Sequence, residues 1–391
     1  MSRSEKSLQL STRFSISVSL VTIAVLVIAG CDKVESIVND VKSDIAGTPE
    51  PAATPVVAPA QPAVADVPQT PAPQIPVPPN PEEIVAEFLR MSSAGGINDG
   101  ALQTLADVPE AAAQITELDL RASARTLSGA GLMLVAKLPN LQSLNLAGWA
   151  VTAEAVAAIG EKTMLREIDL TGSPVGSDVA EALQTATHLQ TLKLDGTAVG
   201  DSAVRTMSSL PLETLSLADC PLSDAGLEEI GRIRTLRNLN VARTQVTGAG
   251  FRALKNLELV KLNATSTRFG VEGLIQIRGM KSLEELYLLA AGIVEQPKAK
   301  VFTTMPNLRI LMLSDNQISG PGMHELFKGL KNLEELYLYR TAANDFGLSA
   351  LVTCRKLKLV DVQHTMCTLS GAQELKKRLP ECAIRVDGGS I

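Results

Sequence analysis

The sequence predicts an α/β solenoid, in which a parallel inner sheet is backed by outer helices. From residue 115 onward one pattern recurs every 23 to 26 residues, as in LREIDLTGSPVGSDVAEALQ from Leu165 and LQTLKLDGTAVGDSAVRTMS from Leu189. The alternation x-L-x-L-x predicts a short strand, and the following G-Φ-x-x-Φ, where Φ is apolar, predicts a helix with one apolar stripe. Because one copy cannot bury its own apolar side chains, neighbouring copies must stack in order.

Eleven copies share this register. Their first residues are Ile115, Leu141, Leu165, Leu189, Leu212, Leu236, Leu259, Leu283, Leu308, Leu333 and Leu357. Each reads L-x-x-L-x-L-x-x-(N/T/C/S)-x-Φ, which resembles leucine-rich repeats. The second half, as in SDAGL at 223–227, is similar to the helical repeats of the ribonuclease-inhibitor-like and cysteine-containing subfamilies. The resemblance implies a horseshoe of about eleven repeats that acts by binding a protein or peptide.

The repeats are predicted to occupy residues 115–381, with a cap at each end. Residues 82–114 should form the N-terminal cap, which holds a helix at 82–90 and a half repeat. Residues 382–391, which begin CAIRV, should form a closing strand and a tail. Both caps would shield the apolar ends of the repeat stack from water.

Residues 1–30 have the features of a secretory signal peptide. Three basic residues precede an uncharged apolar run at 14–30, which is shorter than the roughly 20 residues of a membrane-spanning helix. The run ends in Ile28-Ala29-Gly30-Cys31, which resembles the lipobox of bacterial lipoproteins. The resemblance implies cleavage before Cys31 and lipid attachment to its thiol. An uncleaved membrane anchor with an incidental cysteine is the alternative.

Two segments separate Cys31 from the cap. Residues 31–46 place apolar side chains at helical spacing among charged ones, which predicts a short amphipathic segment that lies on a membrane, pairs with copies of itself or frays. Residues 47–81 contain twelve of the 21 prolines and are rich in alanine. Because proline removes backbone donors, this composition predicts a disordered, semi-rigid linker. The predicted location is the cell envelope, on a membrane, facing the periplasm or the cell exterior.

The net charge and the wide spacing of reactive side chains argue against nucleic acid binding, metal binding and catalysis. The net charge is −6, and removal of residues 1–30 with their net +2 would leave −8, so nothing indicates a nucleic acid partner. His188, His324 and His364 lie far apart in repeat register, and no spacing resembles a metal site, a nucleophile elbow or a phosphate loop. The sequence therefore predicts no catalytic residue, no metal, no cofactor and no enzymatic activity.

Polar residues recur at the ninth repeat position, where a side chain is expected to bond turn backbone groups of the next coil. The residues there are Ser173, Thr197, Cys220, Thr244, Thr267, Asn316, Thr341 and Thr365, while Trp149 and Ala291 depart from the pattern. Three further cysteines, Cys354, Cys367 and Cys382, occupy apolar positions and are expected to be small core residues. An oxidising compartment would also permit a disulfide such as Cys354–Cys382, which the sequence leaves open.

The candidate binding surface lies on the sheet, where repeat positions 3, 5 and 7 should point away from the core. These positions are mostly polar in the first seven repeats, but six of nine are apolar or aromatic in repeats eight to ten. The chain's three tyrosines all lie there. We name the following set the sheet patch: Glu285, Tyr287, Leu289, Ile310, Met312, Glu335, Tyr337 and Tyr339.

The sheet patch is predicted to be the concave-face site for the protein or peptide partner, because tyrosine and methionine are enriched in the cores of interfaces. Two alternatives stay open: tyrosines suit strands in general, or the C-terminal cap or a neighbouring molecule covers them. Two further functions also stay open. One is a structural scaffold of the cell envelope that uses the polar outer helices, and the other is glycan binding by the tyrosines.

Overall fold

The structure is a computed structural model that describes residues 80–294, 301–327 and 329–391. The predicted signal peptide at 1–30, Cys31, the amphipathic segment at 31–46 and all but the end of the linker at 47–81 lie outside these residues. Within the described ranges, no helix is both long enough and apolar enough to cross a membrane.

One sheet runs through all the repeats in chain order, with a three-residue parallel strand from each. Strands β1 to β11 are Glu117–Asp119, Ser143–Asn145, Glu167–Asp169, Thr191–Lys193, Thr214–Ser216, Asn238–Asn240, Lys261–Asn263, Glu285–Tyr287, Ile310–Met312, Glu335–Tyr337 and Leu359–Asp361. Strand β12 (Ala383–Val386) continues the parallel order, and β13 (Gly389–Ser390) returns antiparallel to it. Equivalent repeat positions therefore lie side by side across the sheet.

Helices follow most strands and form the second layer. Helices α1 to α12 are Pro81–Ser93, Asp99–Ala106, Pro109–Ala112, Gly129–Leu134, Ala153–Lys162, Ser177–Ala182, Asp201–Met207, Asp224–Ile230, Gly270–Gln276, Gly320–Phe327, Asp345–Ser349 and Leu369–Arg378. Short 3-10 helices extend or replace them at Arg121–Ser123, Val135–Lys137, Leu183–Thr185, Gly248–Leu254, Phe302–Thr304 and Ala350–Thr353.

Repeat six departs from the predicted strand-and-α-helix pattern. Its outer segment, Gly248–Leu254, is a 3-10 helix. The segment begins Gly248-Ala249-Gly250, but the same three residues also begin the α-helix Gly129–Leu134, so the glycines do not explain the difference. In repeat eight the described residues contain only the 3-10 helix Phe302–Thr304. The outer layer therefore contains 3-10 helices as well as α-helices.

The inward side chains of both layers form one continuous core. In β8, β9 and β10 the central residues Leu286, Leu311 and Leu336 lie in register and are completely buried, while their neighbours stay partly exposed. On the helix side Phe251 and Phe269 pack edge to face with ring centroids 4.6 Å apart. This arrangement confirms the predicted α/β repeat solenoid.

The chain leaves each strand from β2 to β11 through a residue with positive φ at repeat position 8. Glycine fills this position in repeats two to four, at Gly148, Gly172 and Gly196. Repeats five to eleven use Asp219, Arg243, Ser266, Ala290, Asp315, Arg340 and His364, with φ between 50° and 58°. Such backbone costs a residue with a Cβ about 1–2 kcal/mol. The turn is thus imposed by stacking, because most of these residue types do not favour it.

Side chains at repeat position 9 bond the turn of their own or the preceding repeat. The hydroxyl of Thr244 donates to the carbonyl of Val241, within its own repeat, over 2.7 Å. The hydroxyl of Ser173 and the thiol of Cys220 instead reach carbonyls of the preceding repeat, on Leu146 and Leu194, each over 3.1 Å. The expectation that this position bonds the next coil was therefore wrong in direction.

Trp149, which departs from the polar pattern, makes the same bond. Its indole Nε1–H donates to the carbonyl of Leu120 in the preceding repeat over 2.8 Å, and the side chain is buried. The Leu120 carbonyl is equivalent to those that Ser173 and Cys220 contact. A tryptophan therefore serves as the polar ninth residue of repeat two, where it also fills more core volume.

The four cysteines of the described residues are buried free thiols, at Cys220, Cys354, Cys367 and Cys382. Burial raises the pKa of Cys354, Cys367 and Cys382 to about 11. Cys354 Sγ lies 3.8 Å from the carbonyl oxygen of Phe327. The structure thus places these cysteines as core residues, without the Cys354–Cys382 disulfide that the sequence left open.

On the outer side, aspartates at the first position of one helix bond the N-cap serine or threonine of the next helix. Asp224 accepts hydrogen bonds from the backbone N–H and the hydroxyl of Thr247, over 2.7 and 2.6 Å. The same bonds join Asp99 to Ser128, Asp201 to Ser223 and Asp345 to Thr368. The glycine of the G-Φ-x-x-Φ motif leaves room for this carboxylate.

Replacing such a glycine should destabilise the stack. In Gly226→Ala the new Cβ would stand 2.5 Å from Asp201 Oδ1 and would also strike the side chain of Leu222. We expect the free energy of unfolding to fall by about 1–3 kcal/mol, measured by urea denaturation. Gly129→Ala is the control, because a Cβ at Gly129 has nothing within 4 Å. Equal losses in the two variants would contradict the proposed role of the glycine.

Candidate partner-binding surface

Strands β8, β9 and β10 bring the sheet patch together. Their register aligns Glu285, Ile310 and Glu335 in one row and Tyr287, Met312 and Tyr337 in the next. Leu289 and Tyr339 lie two residues beyond the tyrosines of the second row, and all eight side chains are half-buried. Adjacent strands are about 4.8 Å apart, so the eight side chains form one contiguous surface.

Each tyrosine of the second row is held by a glutamate on its own strand. Tyr287 Oη donates to Glu285 Oε2 over 2.9 Å, and Tyr337 Oη donates to Glu335 Oε2 over 2.7 Å. Residues two apart on a strand share a face, so both pairs lie on the open side of the sheet. The glutamates therefore fix the orientation of the tyrosine rings.

The two pairs differ in one contact. Lys261 of β7 lies beside Glu285, with 2.9 Å between Nζ and Oε2, and its Nζ is 5.0 Å from the centroid of the Tyr287 ring. In the described residues no basic side chain forms an ion pair with Glu335. Its register neighbours are Ile310 and Leu359.

Burial and the glutamates raise the pKa of both tyrosines. Desolvation is the larger cause and the hydrogen-bonded carboxylate the second, and together they bring the pKa of Tyr287 and of Tyr337 to about 12. For Glu285, burial raises the pKa, but the hydrogen bonds from Lys261 and Tyr287 outweigh it and the pKa is lowered. Both tyrosines are thus neutral hydrogen-bond donors at physiological pH.

These shifts predict a pH dependence in strong base. A folded pKa of about 12 exceeds the unfolded value of about 10, so the folded state holds these protons more tightly. The resulting stabilisation is complete below pH 10 and is lost as the pH rises from 10 through 12. NMR of ring-labelled tyrosine should also show that Glu335→Gln lowers the pKa of Tyr337 much more than that of Tyr287. Equal changes at both rings would contradict the assigned pairing.

Charged and aromatic side chains border the sheet patch. Arg309 bonds Glu334 over 2.8 Å and Glu284 over 3.3 Å, and Lys358 bonds Glu334 over 2.7 Å. Arg309 and Lys358 together hold the pKa of Glu334 at about 2. At the other edge the rings of Tyr339 and His364 meet edge to face, with centroids 4.9 Å apart. These ion pairs and the ring contact hold the side chains at the edge of the sheet patch in place.

A hollow of about 420 Å³ lies on the same face, over β4 to β7. It is lined by the polar residues Lys193, Asp195, Thr214, Ser216, Asn238, Asn240, Lys261 and Asn263, together with Leu215 and Leu239. Asn240 Nδ2 donates to Ser216 Oγ over 2.9 Å, and Asn238 Nδ2 donates to Thr214 Oγ1 over 3.0 Å. The sequence shows these residues as polar strand positions, but their grouping in a hollow depends on side-chain length across neighbouring strands.

Within residues 80–294, 301–327 and 329–391 no group of histidine, cysteine, aspartate or glutamate side chains could hold a metal ion. The three histidines are separated in the fold as well: His324 stacks on Phe346 on the helix side, and His364 lies at the edge of the sheet patch. The surface therefore offers shape, aromatic rings and carboxylates to a ligand.

Comparisons with known proteins agree with this fold. A family profile described as "Leucine Rich repeat" matches residues 208–231 and 304–327, which cover the last residues of repeats four and eight and most of repeats five and nine. A chain of the TLR13–ssRNA13 complex superposes with a TM-score of 0.52 at 21% identity, over 73% of this chain and 44% of that one. A chain of the yeast Rad7–Elc1 complex gives 0.50 at 17% identity, over 79% and 88%.

A leucine-rich-repeat protein of Leptospira interrogans gives a TM-score of 0.49 at 19% identity, over 71% of this chain and 74% of that one. A comparison with curated proteins finds no match. The stacked parallel strands and the repeat profile make the described part of the chain a leucine-rich-repeat solenoid of the α/β kind. Its repeats are of a type that commonly serves as a protein-interaction module.

Proposed function

We propose that this chain is a membrane-anchored lipoprotein whose leucine-rich-repeat domain binds a protein or peptide through the sheet patch on its concave face. The observation that carries the proposal is that the outward residues of the sheet change from mostly polar to mostly apolar or aromatic along the chain. Seven strands present mostly polar residues, and the next three present Tyr287, Leu289, Ile310, Met312, Tyr337 and Tyr339. A contiguous apolar patch with a polar rim is the usual surface of a partner site.

The chemistry of the sheet patch favours protein over nucleic acid. The chain carries a net charge of −6, and Glu285 and Glu335 stand within the patch itself. Phosphate groups would meet carboxylates there, whereas nucleic-acid sites present clustered lysine and arginine. The proposed action is adhesion by a preformed surface, with no chemical step, no metal and no cofactor.

Capture from native membranes tests the binding surface. The full chain and its Tyr337→Ala, Tyr339→Ala variant should be crosslinked in membranes and purified in parallel. We expect the variant to lose at least nine tenths of the captured partner, because aromatic anchors dominate interface energies. Phe346→Ala is the control, since Phe346 is 59% exposed on the helix side. Equal capture by the double variant and the parent would contradict the proposal.

The lipid anchor of the proposal rests on the sequence around Cys31. Lipidation there would hold the chain on a membrane of the cell envelope, and the linker at 47–81 would place the repeats away from the bilayer. Cys31→Ser should move the chain from the membrane fraction to the soluble fraction. A Cys354→Ser variant should stay on the membrane, since Cys354 is a buried core thiol. Retention of Cys31→Ser on membranes without lipid would contradict the anchor.

Glycan binding is a second candidate, and the hollow beside Tyr287 favours it. Amide, hydroxyl, carboxylate and ammonium groups that can bond sugar hydroxyls line the hollow beside apolar side chains, and Lys261 borders both the hollow and Tyr287. A glycan array with the full chain separates the two functions. Binding that is lost in Asn240→Ala and kept in Tyr337→Ala, Tyr339→Ala would assign a glycan site to the hollow.

A further inference from the structure

The two tyrosine–glutamate pairs of the sheet patch make the same hydrogen bond, and a lysine of this chain, Lys261, contacts the first pair. In the first pair the Lys261 ammonium reaches Glu285 Oε2, the oxygen that also accepts from Tyr287 Oη, and lies near the Tyr287 ring. An ammonium held by a carboxylate and an aromatic ring is stabilised by both.

The second pair has the same geometry without the cation. Tyr337 Oη bonds Glu335 Oε2, as in the first pair. Lys261 lies beside Glu285 on the preceding strand, at the same repeat position. The residue that lies beside Glu335 on its preceding strand is Ile310, which carries no charge. The residue on the other side is Leu359, so apolar side chains flank the Glu335 carboxylate across the sheet.

Nearby basic residues are engaged elsewhere. Arg309 and Lys358 bond the carboxylate of Glu334, the residue that precedes Glu335 in the chain. Arg385 lies 3.8 Å from Asp361, the register neighbour of Tyr337, where its charge acts on Tyr337 without an ion pair to Glu335. Within the described residues the Glu335 carboxylate therefore accepts from Tyr337 and has no cation partner, which leaves it available to a complementary charge.

We propose that Glu335 and Tyr337 form a recognition site for a lysine side chain of the protein partner. The lysine ammonium bonds the Glu335 carboxylate and lies near the Tyr337 ring, as Lys261 does in the first pair. Its methylene chain lies on Ile310 and Met312, which flank the site on β9. This inference rests on the proposed function and names the chemistry that the partner must present.

NMR can test this site directly, since the chain has three tyrosines and ring-labelled tyrosine gives three resolvable environments. The probe is Nα-acetyl-lysine amide, and the control probe is Nα-acetyl-norleucine amide, which has the same chain length without the ammonium. In the full-length chain the lysine probe should shift the Tyr337 signal saturably, with the norleucine probe at least tenfold weaker. The Tyr287 signal should stay unchanged, because Lys261 already occupies that pair.

Three variants sharpen the test. Glu335→Gln should weaken the response at Tyr337 at least tenfold. Ile310→Lys should abolish it, because a lysine at this position would reach Glu335 as Lys261 reaches Glu285. Lys261→Gln should open the first pair, so that the Tyr287 signal begins to respond. Unperturbed signals from the remaining tyrosines show that each variant is folded.

Equal responses to the lysine and norleucine probes, or an unchanged response in Glu335→Gln, would overturn the lysine site. Such a result leaves the proposed function standing if the double tyrosine variant still loses its captured partner. If the lysine probe binds as expected but the double variant keeps its partner, the proposed binding surface fails instead.

Discussion

Asn316→Ala is expected to lower the free energy of unfolding by about 3 kcal/mol. Asn316 is buried, and its amide donates to the carbonyls of Leu288, Leu313 and Ser314 over 2.7, 2.9 and 3.1 Å. Its Oδ1 accepts from the backbone N–H of Ile293 over 2.9 Å. Removing the side chain leaves several buried backbone groups unpaired, and each unpaired group costs about 1–3 kcal/mol.

The loss of stability in Asn316→Ala is large because the turn of repeat eight is hydrogen-bonded by the side chain of repeat nine. The ninth position of repeat eight is Ala291, which has no polar side chain, so Asn316 of repeat nine supplies the bonds to the turn. Thr341→Ala is the matched control at the same position of repeat ten. Thr341 donates one bond to Leu338 over 2.8 Å and accepts only a long one, of 3.4 Å, from the N–H of Ala343, so its loss should cost about 1 kcal/mol. Equal losses in urea denaturation would contradict this dependence.

Leu336→Ala is expected to cost about 3–4 kcal/mol, the largest effect of a single substitution in the sheet. Leu336 is completely buried between Leu311 and Val360 in register, directly below the surface that carries Tyr337. Truncating a buried leucine costs about 2–5 kcal/mol, and the upper part applies where neighbours cannot close the cavity. The short parallel strands on both sides restrict such collapse.

The effect of Leu336→Ala should also reach the sheet patch. Thermal or urea unfolding measures the stability, and NMR of labelled tyrosine reports whether the Tyr337 ring gains mobility. Leu369→Ala is the control, because Leu369 is 48% exposed and its loss should stay within about 0.5 kcal/mol. A loss below about 1 kcal/mol for Leu336→Ala would contradict the assigned packing.

The sequence was sufficient to predict the sheet because its signal is periodic. Leucines at fixed spacing occur in eleven aligned copies, and only stacked parallel strands bury all of them. The left-handed turn at repeat position 8 was not predictable, since residues such as Arg243 and Ala290 do not indicate positive φ. The 3-10 helix of repeat six was not predictable either, since its Gly-Ala-Gly start also begins the α-helix Gly129–Leu134.

The sheet patch could be predicted from the sequence as a set of residues on one face, but its internal chemistry could not. Alternation puts Glu335 and Tyr337 on the same side of a strand, yet their hydrogen bond depends on rotamers. The contact of Lys261 with Glu285 and Tyr287 depends in addition on how far the lysine side chain extends from β7 to the adjacent strand β8. The difference between the two tyrosine–glutamate pairs therefore emerges only in three dimensions.

Site-specific photocrosslinking in native membranes tests the central claim, that the sheet patch binds the partner. A benzophenone amino acid should replace Leu289 at the patch edge in one full-length variant and the exposed Phe346 on the helix side in another. We predict one discrete protein adduct from position 289, which disappears when Tyr337→Ala and Tyr339→Ala are added, and no such adduct from position 346. An adduct from position 346 alone would place the partner on the helices and contradict the proposed binding surface.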